Sequence, residues 1–362
     1  MFHTGSMLRR AGEWFLRSGI QESSGGVARF YHSDLAKNAR VSTEITGYAV
    51  STLLYLAERT SDANYTEAAV RAARFLTRSA WNTALSTFPF ELYANGSQPQ
   101  PLAYFFDCGI IVRGLLAAWR ATREQEFLDA AVQTGHSMIV DFQARHAIHP
   151  IVRLPEKRPL AYGPKWSASP GCYQLKSAMA WQDLFEESGE RAFHAAYENA
   201  LENALESAPF FLPGEVDREK VMDRLHAYAY FLEGLLPCAE RPECAKALSE
   251  GIARTEKYLN EIEAMFARSD VYAQLLRLRL FAAQLGIVPL DATQAAREAT
   301  QAAAFQLEGS DPRIDGGFAF GRRAAGMLPY VNPVSSGFCL QALALWSDRL
   351  SGTLNANRHA LV

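Results

Sequence analysis

Two kinds of helical segment alternate along the chain, and this alternation constrains the fold more than any other feature. Segments of the first kind are apolar on nearly every face, and they span approximately 43–60, 105–122, 172–187, 222–239, 270–285 and 334–349. Segments of the second kind carry a charged stripe, and they span about 8–18, 64–81, 124–143, 190–208, 243–267 and 292–307. A helix that is apolar all round is buried, whereas a striped helix has one face in water.

This alternation predicts a repeat architecture. The paired segments recur roughly every 50 to 65 residues, which indicates stacked helical units and not two unlike domains. Six buried helices inside a ring of six half-exposed helices would satisfy both patterns. We therefore predict an all-α (α/α)6 toroid of about six helical hairpins, with an inner and an outer helix ring. Residues 1–352 form this single domain, and residues 353–362 are expected to be a disordered tail.

The links between segments are unequal in length. Links from a buried to a striped segment are short, as at 123–124 and 188–190. Links in the other direction are mostly long, and they cover about 20–42, 82–104, 144–171, 209–221 and 308–333. Long loops in a compact domain are usually functional, and in a toroid these would all lie where the inner helices begin. Helix N-termini carry partial positive charge and free N–H groups, so a cleft there would suit an anionic ligand.

Four residues are candidates for catalysis. Asp107 follows three aromatic residues in YFFDCG, so we expect a partly buried carboxyl with a raised pKa, as a general acid requires. The alternative is a capping or first-turn carboxylate of the helix. His226 lies on an otherwise apolar helix, and it is either a base or a hydrogen-bonded core histidine. Glu44 and Asp315 are the other carboxylates that would support glycosidic hydrolysis across the ring.

Aromatic and polar residues of the loops and helix starts are candidates for substrate binding. The apolar C–H faces of sugars pack on aromatic rings, and their hydroxyls need a few placed polar groups. The candidate binding residues are Tyr48, Tyr104, Tyr162, Lys165, Trp166, Tyr173, Gln174, Tyr228, Phe318 and Tyr330. For most of the loop aromatics the alternative is that they fasten the loops to the toroid.

Charge and motif content exclude several classes of function. The formal net charge of −3 gives no reason to expect a broad basic surface, so no nucleic-acid partner is predicted. The sequence has no run of about 18 apolar residues and no visible signal peptide, so we expect a cytoplasmic protein without membrane insertion. Its five cysteines show no zinc spacing, and no phosphate-binding loop is present, so neither a metal nor a cofactor is predicted. The oligomeric state stays open.

One stretch resembles the repeat of the terpenoid cyclase and prenyltransferase toroids. It runs from Gln306 through DPRIDGGFAFG (311–321) to VSSGFCLQALALW (334–346). In those families a Gln and a DGG-aromatic turn precede an inner helix, so the resemblance implies a toroid. The cyclase acid motif DxDD is absent here, and the zinc-binding residues of the prenyltransferases cannot be placed. A terpenoid cyclase-like enzyme would need a deep apolar cavity lined by aromatic rings.

The layout of the whole chain is similar to (α/α)6 carbohydrate enzymes such as unsaturated glucuronyl hydrolases, uronate-polymer lyases and glucuronyl epimerases. In the first of these an Asp at the start of an inner helix is the general acid/base, and Asp107 has that placement. The resemblance implies an enzyme that acts on an acidic, uronate-containing oligo- or polysaccharide by general acid/base chemistry. Hydrolysis, elimination and epimerisation stay open, and so does a non-catalytic toroid that binds a saccharide or a peptide.

Overall fold

The computed structural model describes residues 4–91, 101–213 and 216–362, and within them twelve α-helices form two concentric rings. In chain order they are α1 (Thr4–Arg17), α2 (Thr43–Thr60), α3 (Ala63–Phe75), α4 (Phe105–Thr122), α5 (Gln125–Phe142), α6 (Leu175–Ser188), α7 (Arg191–Phe211), α8 (Arg218–Gly234), α9 (Pro242–Ile262), α10 (Ser269–Gln284), α11 (Ala292–Ala303) and α12 (Pro333–Ser351). The even-numbered helices form the inner ring, which closes where α12 packs against α2. The predicted (α/α)6 toroid is confirmed.

Small residues let the inner helices approach one another closely. A methyl group on Gly114 of α4 would lie 2.6 Å from the carbonyl oxygen of Gly47 on α2. A methyl group on Gly109 would lie 2.4 Å from the carbonyl oxygen of Ser177 on α6. Both distances are shorter than van der Waals contact, so these positions must stay small for the ring to close.

Short antiparallel strands connect the loops that precede the inner helices. They are β1 (Tyr31–His32), β2 (Lys37–Asn38), β3 (Leu102–Tyr104), β4 (Gln143–Ala144), β5 (Ala147–Ile148), β6 (Ile151–Arg153), β7 (Arg158–Pro159), β8 (Phe266–Arg268), β9 (Gly321–Arg323), β10 (Gly326–Met327) and β11 (Tyr330–Val331). Three small sheets, β11-β1-β2, β3-β6-β7 and β10-β9-β8, each join loops from two different hairpins. These sheets therefore link most of the long loops around the N-terminal ends of the inner helices.

The C-terminal segment 353–362 packs into the ring, in contrast to the expectation of a disordered tail. Leu361 and Val362 are buried inside the inner ring. Arg113 donates a hydrogen bond to the carbonyl oxygen of Leu361 at 3.1 Å, and the Lys176 ammonium donates to that of Val362 at 3.2 Å. Buried cations need hydrogen-bond acceptors, and the tail supplies them. This order depends on partners far away in the sequence, so tail composition does not reveal it.

The tail enters the ring from the mouth where the inner helices end. There, Gln284 at the end of α10 exchanges two hydrogen bonds with the backbone of Ala356, at 2.7 and 3.0 Å. The other mouth, where the inner helices begin, carries the connected loops. Among the described residues, no helix is both long and apolar enough to cross a membrane.

Candidate active site

A cavity of about 610 Å³ opens at the mouth where the inner helices begin. Aromatic residues form most of its wall: Phe30, Phe90, Tyr104, Phe106, Trp166, Tyr173, Tyr230, Phe320 and Tyr330. The ionisable side chains that line it, apart from the tyrosines, are Arg29, Glu44, Asp107, His226, Arg268 and Asp270. Small-molecule sites commonly have volumes of about 300–1,000 Å³ and combine apolar walls with a few polar groups, and this cavity fits that description.

Three carboxylates reach the cavity from the first turns of inner helices. Glu44 lies in the first turn of α2, Asp107 in that of α4 and Asp270 in that of α10. The helix dipole favours negative charge at these positions. Because the inner helices all begin at this mouth, the ring geometry brings together acidic residues that are far apart in the sequence.

Glu44 and Asp107, which we call the carboxyl pair, interact electrostatically. Burial raises the pKa of Asp107 well above its ordinary value, and the charge of Glu44 raises it further, while Arg29 opposes both effects. Burial also raises the pKa of Glu44 to about 7, again against Arg29. The Oδ2 atom of Asp107 is buried and has no hydrogen-bond partner among the described residues. Burial and the charge of Glu44 therefore favour the protonated form of Asp107, and at neutral pH Glu44 is divided between its two forms.

Arg268 connects His226 with the third carboxylate. Its guanidinium donates two hydrogen bonds to Asp270, from Nε at 3.0 Å and from Nη2 at 2.5 Å. Its remaining nitrogen, Nη1, lies 2.9 Å from Nδ1 of His226. Burial lowers the pKa of His226 well below its ordinary value, and the positive charge of Arg268 lowers it further. The imidazole is therefore neutral at physiological pH.

Arg29 is the second cation of the cavity, and its guanidinium is less engaged. It lies 5.0 Å from the centre of the Phe90 ring and 3.6 Å from the buried carboxylate of Glu91, which is too far for a hydrogen bond. Glu91 is held more closely by Arg40, at 2.7 Å. The side chain of Arg29 is 42% exposed, so its N–H groups can reach a ligand in the cavity.

Aromatic rings enclose the histidine side of the cavity. The Trp166 ring is 5.1 Å from the His226 ring and 4.9 Å from the Tyr173 ring, edge to face in both cases. The rings of Phe106 and Tyr230 are 4.9 Å apart. Each such pair of rings contributes about 0.5–1.5 kcal/mol of stability beyond the burial of its apolar area, so this wall is held in place before any ligand binds.

Below the carboxyl pair the cavity is closed. Tyr48 is buried there, in electrostatic contact with Tyr230 and Glu44, and its hydroxyl makes no hydrogen bond of normal geometry with the residues that the structure describes. Deeper still, Glu233 forms ion pairs with Lys176 at 2.9 Å and with Arg277 at 2.5 Å. This layer and the C-terminal tail fill the middle of the ring, so a ligand enters and leaves by the same mouth.

The structure brings seven of the predicted site residues together in the cavity lining: Glu44, Tyr104, Asp107, Trp166, Tyr173, His226 and Tyr330. Tyr48 lies directly beneath them. The other six do not line the cavity: Tyr162, Lys165, Gln174, Tyr228, Asp315 and Phe318.

Two of these six have side chains that hold the local structure together. Asp315 accepts a hydrogen bond from Nη2 of Arg10 at 2.7 Å, which ties the last long loop to α1. Gln174 accepts one from the backbone N–H of Gly171 at 3.1 Å and donates one to the carbonyl of Ile148 at 3.0 Å. Both residues occupy structural roles outside the cavity.

The remaining four point elsewhere. Tyr228 contacts Arg254 and Phe231 on the outer side of α8, and Phe318 is buried under the last loop. Tyr162 is half exposed, and its hydroxyl lies 2.9 Å from Nδ1 of His149. Lys165 is exposed at the loop surface.

Sequence reasoning missed Arg29 and Arg268 as parts of the site, and it named Tyr230 only as a neighbour of His226, not as a binding residue. The signal for Tyr230 was present, because residues four apart share one face of a helix and Tyr230 follows His226 by four. Tyr228, two residues after His226, falls on the other face. No comparable local signal marks Arg29, which lies in the loop before β1, or Arg268, which ends β8 and reaches the cavity through the pairing of β8 with β9.

One cluster of possible metal ligands occurs among the described residues, away from the cavity. Atoms of Asp183, Glu186 and His359 lie within 4.8 Å of one another. Arg113 and Arg358, however, already donate hydrogen bonds to Asp183, each at 3.0 Å. Their guanidinium charges satisfy that carboxylate and disfavour a cation beside it.

The architecture is similar to that of solved sugar-processing enzymes. A sugar epimerase from a ruminal bacterium superposes with a TM-score of 0.72 at 8% identity, covering 95% of this chain and 99% of that one. The cellobiose 2-epimerase of Spirochaeta thermophila gives a TM-score of 0.70 at 15% identity, covering 94% and 96%. An unsaturated glucuronyl hydrolase from Bacillus sp. GL1 gives 0.67 at 13% identity, covering 97% of each chain. No family model and no curated protein matches the sequence. At these identities the likeness concerns the fold.

Proposed function

We propose that this chain is a carbohydrate-active enzyme that hydrolyses an acidic, uronate-containing oligosaccharide by general acid/base chemistry in the cavity at the N-termini of the inner helices. One observation carries the proposal: the carboxyl pair lies together in an aromatic-lined cavity, where burial and the charge of Glu44 raise the pKa of Asp107 and so favour its protonated form. Two interacting carboxyls that hold different protonation states are the arrangement that glycoside hydrolysis requires.

The chemistry divides between the two carboxyls. Asp107 donates its proton to the oxygen of the leaving sugar as the glycosidic C–O bond breaks. Glu44, in its ionised form, accepts a proton from the water that attacks the sugar carbon. The sum is hydrolysis, with one water consumed and both carboxyls returned to their starting states after proton exchange with solvent. Arg29 favours the ionised form of both carboxyls, but the charge of Glu44 raises the pKa of Asp107, so Asp107 is the better acid and Glu44 the better base.

Arg29 supports an acidic substrate. Its N–H groups form no side-chain hydrogen bond with the described residues, unlike those of Arg268, which are engaged by Asp270 and His226. A guanidinium presents a planar fork that matches a carboxylate. A uronate carboxylate at Arg29 would place the sugar ring beside Phe90 and next to the carboxyl pair.

The closed floor favours one end of a saccharide chain over the middle of a long polymer. Aromatic rings line the walls, so they can pack against the apolar faces of a sugar. The structural neighbours support the same class of substrate, since they include sugar epimerases and a glucuronyl hydrolase responsible for the degradation of glycosaminoglycan.

The cavity lining disfavours the terpenoid cyclase alternative. Such an enzyme stabilises carbocations, and two guanidinium groups in the lining, Arg29 and Arg268, would repel them. A binding toroid without catalysis has no use for a carboxyl pair with raised pKa values, because desolvating these groups costs free energy that binding alone does not recover.

Turnover of a defined panel tests the proposal. The wild-type protein is incubated with saturated and unsaturated uronate disaccharides and with their neutral counterparts, and the products are identified by NMR. We expect hydrolysis of at least one uronate substrate and weaker turnover of its neutral counterpart, with Arg29→Met removing the difference. Asp129→Asn, an exposed substitution on α5, is the matched control. The proposal would be contradicted if the protein neither bound nor turned over any member of the panel.

A further inference from the structure

The contact between Arg268 and His226 determines which nitrogen of the imidazole carries the proton. A guanidinium has five N–H donors and no acceptor. Since Nη1 of Arg268 lies 2.9 Å from Nδ1 of His226, Nδ1 can only accept there. In a neutral imidazole the proton then belongs to Nε2.

The Arg268 side chain is held firmly enough to impose this choice. Both oxygens of Asp270 accept hydrogen bonds from it, and the face of its guanidinium lies 4.5 Å from the centre of the Phe320 ring. Arg268 precedes the first residue of α10, where β8 pairs with β9. Its backbone and its head group are therefore both fixed.

The other side of the imidazole faces the cavity. His226 lines it. The rings of Trp166 and Tyr230 flank the imidazole at 5.1 and 5.9 Å, edge to face and without charge. Arg268 is the charged side chain that faces it, and a hydrogen bond between the imidazole and the backbone of Asp223 has a smaller, opposite effect on the His226 pKa.

We propose that Arg268 is a positioning residue that fixes His226 in the neutral Nε2–H tautomer, so that His226 donates a hydrogen bond to the substrate and does not act as a base. The donation to a sugar oxygen or carboxylate rests on the proposed function; the tautomer does not. Sequence reasoning treated His226 as a possible base for taking a proton beside a uronate carboxylate. With Nε2 protonated and Nδ1 engaged, the imidazole has no free lone pair for that step. The assignment therefore favours hydrolysis by the carboxyl pair over elimination by His226.

The tautomer is measured directly by two-bond 1H–15N correlation NMR on protein labelled with 15N-histidine. The His226 signals are assigned by their loss in His226→Gln. We expect the Nε2–H pattern in the wild-type protein, unchanged from pH 6 to pH 8. An Nδ1–H pattern, or a doubly protonated ring at pH 7, would overturn the proposal without any variant having to fold.

Removing the arginine tests its positioning role. In Arg268→Met we expect a mixture of the two neutral tautomers. Arg323→Met, on the neighbouring strand β9 and exposed, is the matched control and should leave the His226 signals unchanged. An Arg268→Met spectrum identical to that of the wild type would contradict the role of Arg268.

Kinetics separate a donor from a base. The amide of glutamine in His226→Gln can still donate near the position of Nε2, so we expect KM to rise about tenfold, with kcat changed less, as for one hydrogen bond lost or weakened. A base would lose about 10²–10⁴-fold in kcat, and that result would overturn the proposal. If the wild type turns over no saccharide, the proposed function fails, while the NMR spectra still decide the tautomer.

Discussion

Replacing Glu44 by Gln should stabilise the protein while abolishing its activity. A pKa raised from 4.5 to about 7 means that ionising this carboxyl costs about 3 kcal/mol more in the folded protein than in the unfolded chain. Gln has the shape of protonated Glu and cannot ionise, so the variant avoids that cost. Glu44 thus destabilises the folded state but is needed for activity, a trade-off that is common in active sites.

The sign of the pH dependence follows from the direction of the shift. Because the folded-state pKa is raised, the folded protein binds more protons than the unfolded chain between pH 4.5 and about 7. The wild type therefore loses stability as the pH rises through this window, and the loss is complete above about pH 7. We expect Glu44→Gln to match the wild type near pH 4.5 and to exceed it by up to about 3 kcal/mol at pH 8.

Urea unfolding followed by far-UV circular dichroism at pH 4.5 and pH 8 measures both values. Glu58→Gln, on the exposed end of the same helix, is the control and should shift stability by less than about 0.5 kcal/mol at either pH. If Glu44→Gln is less stable than the wild type at pH 8, or if its gain is the same at both pH values, the reasoning about burial of this carboxyl is refuted.

Four further predictions concern the site and its support. Asp107→Asn should lower kcat by about 10²–10⁴-fold and leave the far-UV circular dichroism spectrum unchanged, whereas Asp129→Asn should leave both unchanged. A loss of helicity in Asp107→Asn would instead favour a first-turn structural role for Asp107. In the wild type, log(kcat/KM) measured from pH 5 to pH 8 should decrease as the pH is lowered through about 7, because Glu44 becomes protonated there. A flat profile would exclude Glu44 as the base. Asp315→Asn breaks a partly exposed ion pair with Arg10, so the free energy of unfolding measured in urea should decrease by about 1 kcal/mol or less, with activity retained. A large decrease in kcat would instead place Asp315 in the site. Deleting residues 358–362 removes the carbonyl acceptors of Arg113, Lys176 and Arg277, so the free energy of unfolding should decrease by several kcal/mol. An unchanged urea midpoint would show that the tail does not stabilise the ring.

The helices could be predicted because their signals are local. Residues 43–60 and 105–122 are helical as the periodicity indicated. Both helices end in a residue with left-handed backbone, Ser61 and Arg123, whose N–H bonds back to the last turn. Hydrophobic period and helix ends are properties of neighbouring residues, and a single sequence displays them.

Helix ends set by particular backbone constraints were predicted less well. The segment predicted at 222–239 begins at Arg218 and stops at Gly234. Pro237 follows, and a proline cannot continue an α-helix because it lacks the N–H and clashes with the preceding turn. The chain there forms a 3-10 turn at Leu236–Cys238 instead.

The parts of the site that depend on distant pairing could not be predicted. Sequence reasoning extended an outer helix to residue 267, but α9 ends at Ile262 and Phe266–Arg268 pairs with Gly321–Arg323. That pairing brings Arg268 to His226, and nothing in the local sequence indicates it. The same holds for the C-terminal tail, whose acceptors are needed by cations on α4, α6 and α10.

A crystal structure of the Asp107→Asn variant soaked with a uronate disaccharide tests the proposed site most directly. We expect the sugar to lie in the cavity, with its carboxylate on Arg29, its glycosidic oxygen within hydrogen-bond distance of residue 107, and an oxygen near Nε2 of His226. A sugar bound at another surface, or an empty cavity at saturating disaccharide in a correctly folded crystal, would contradict it.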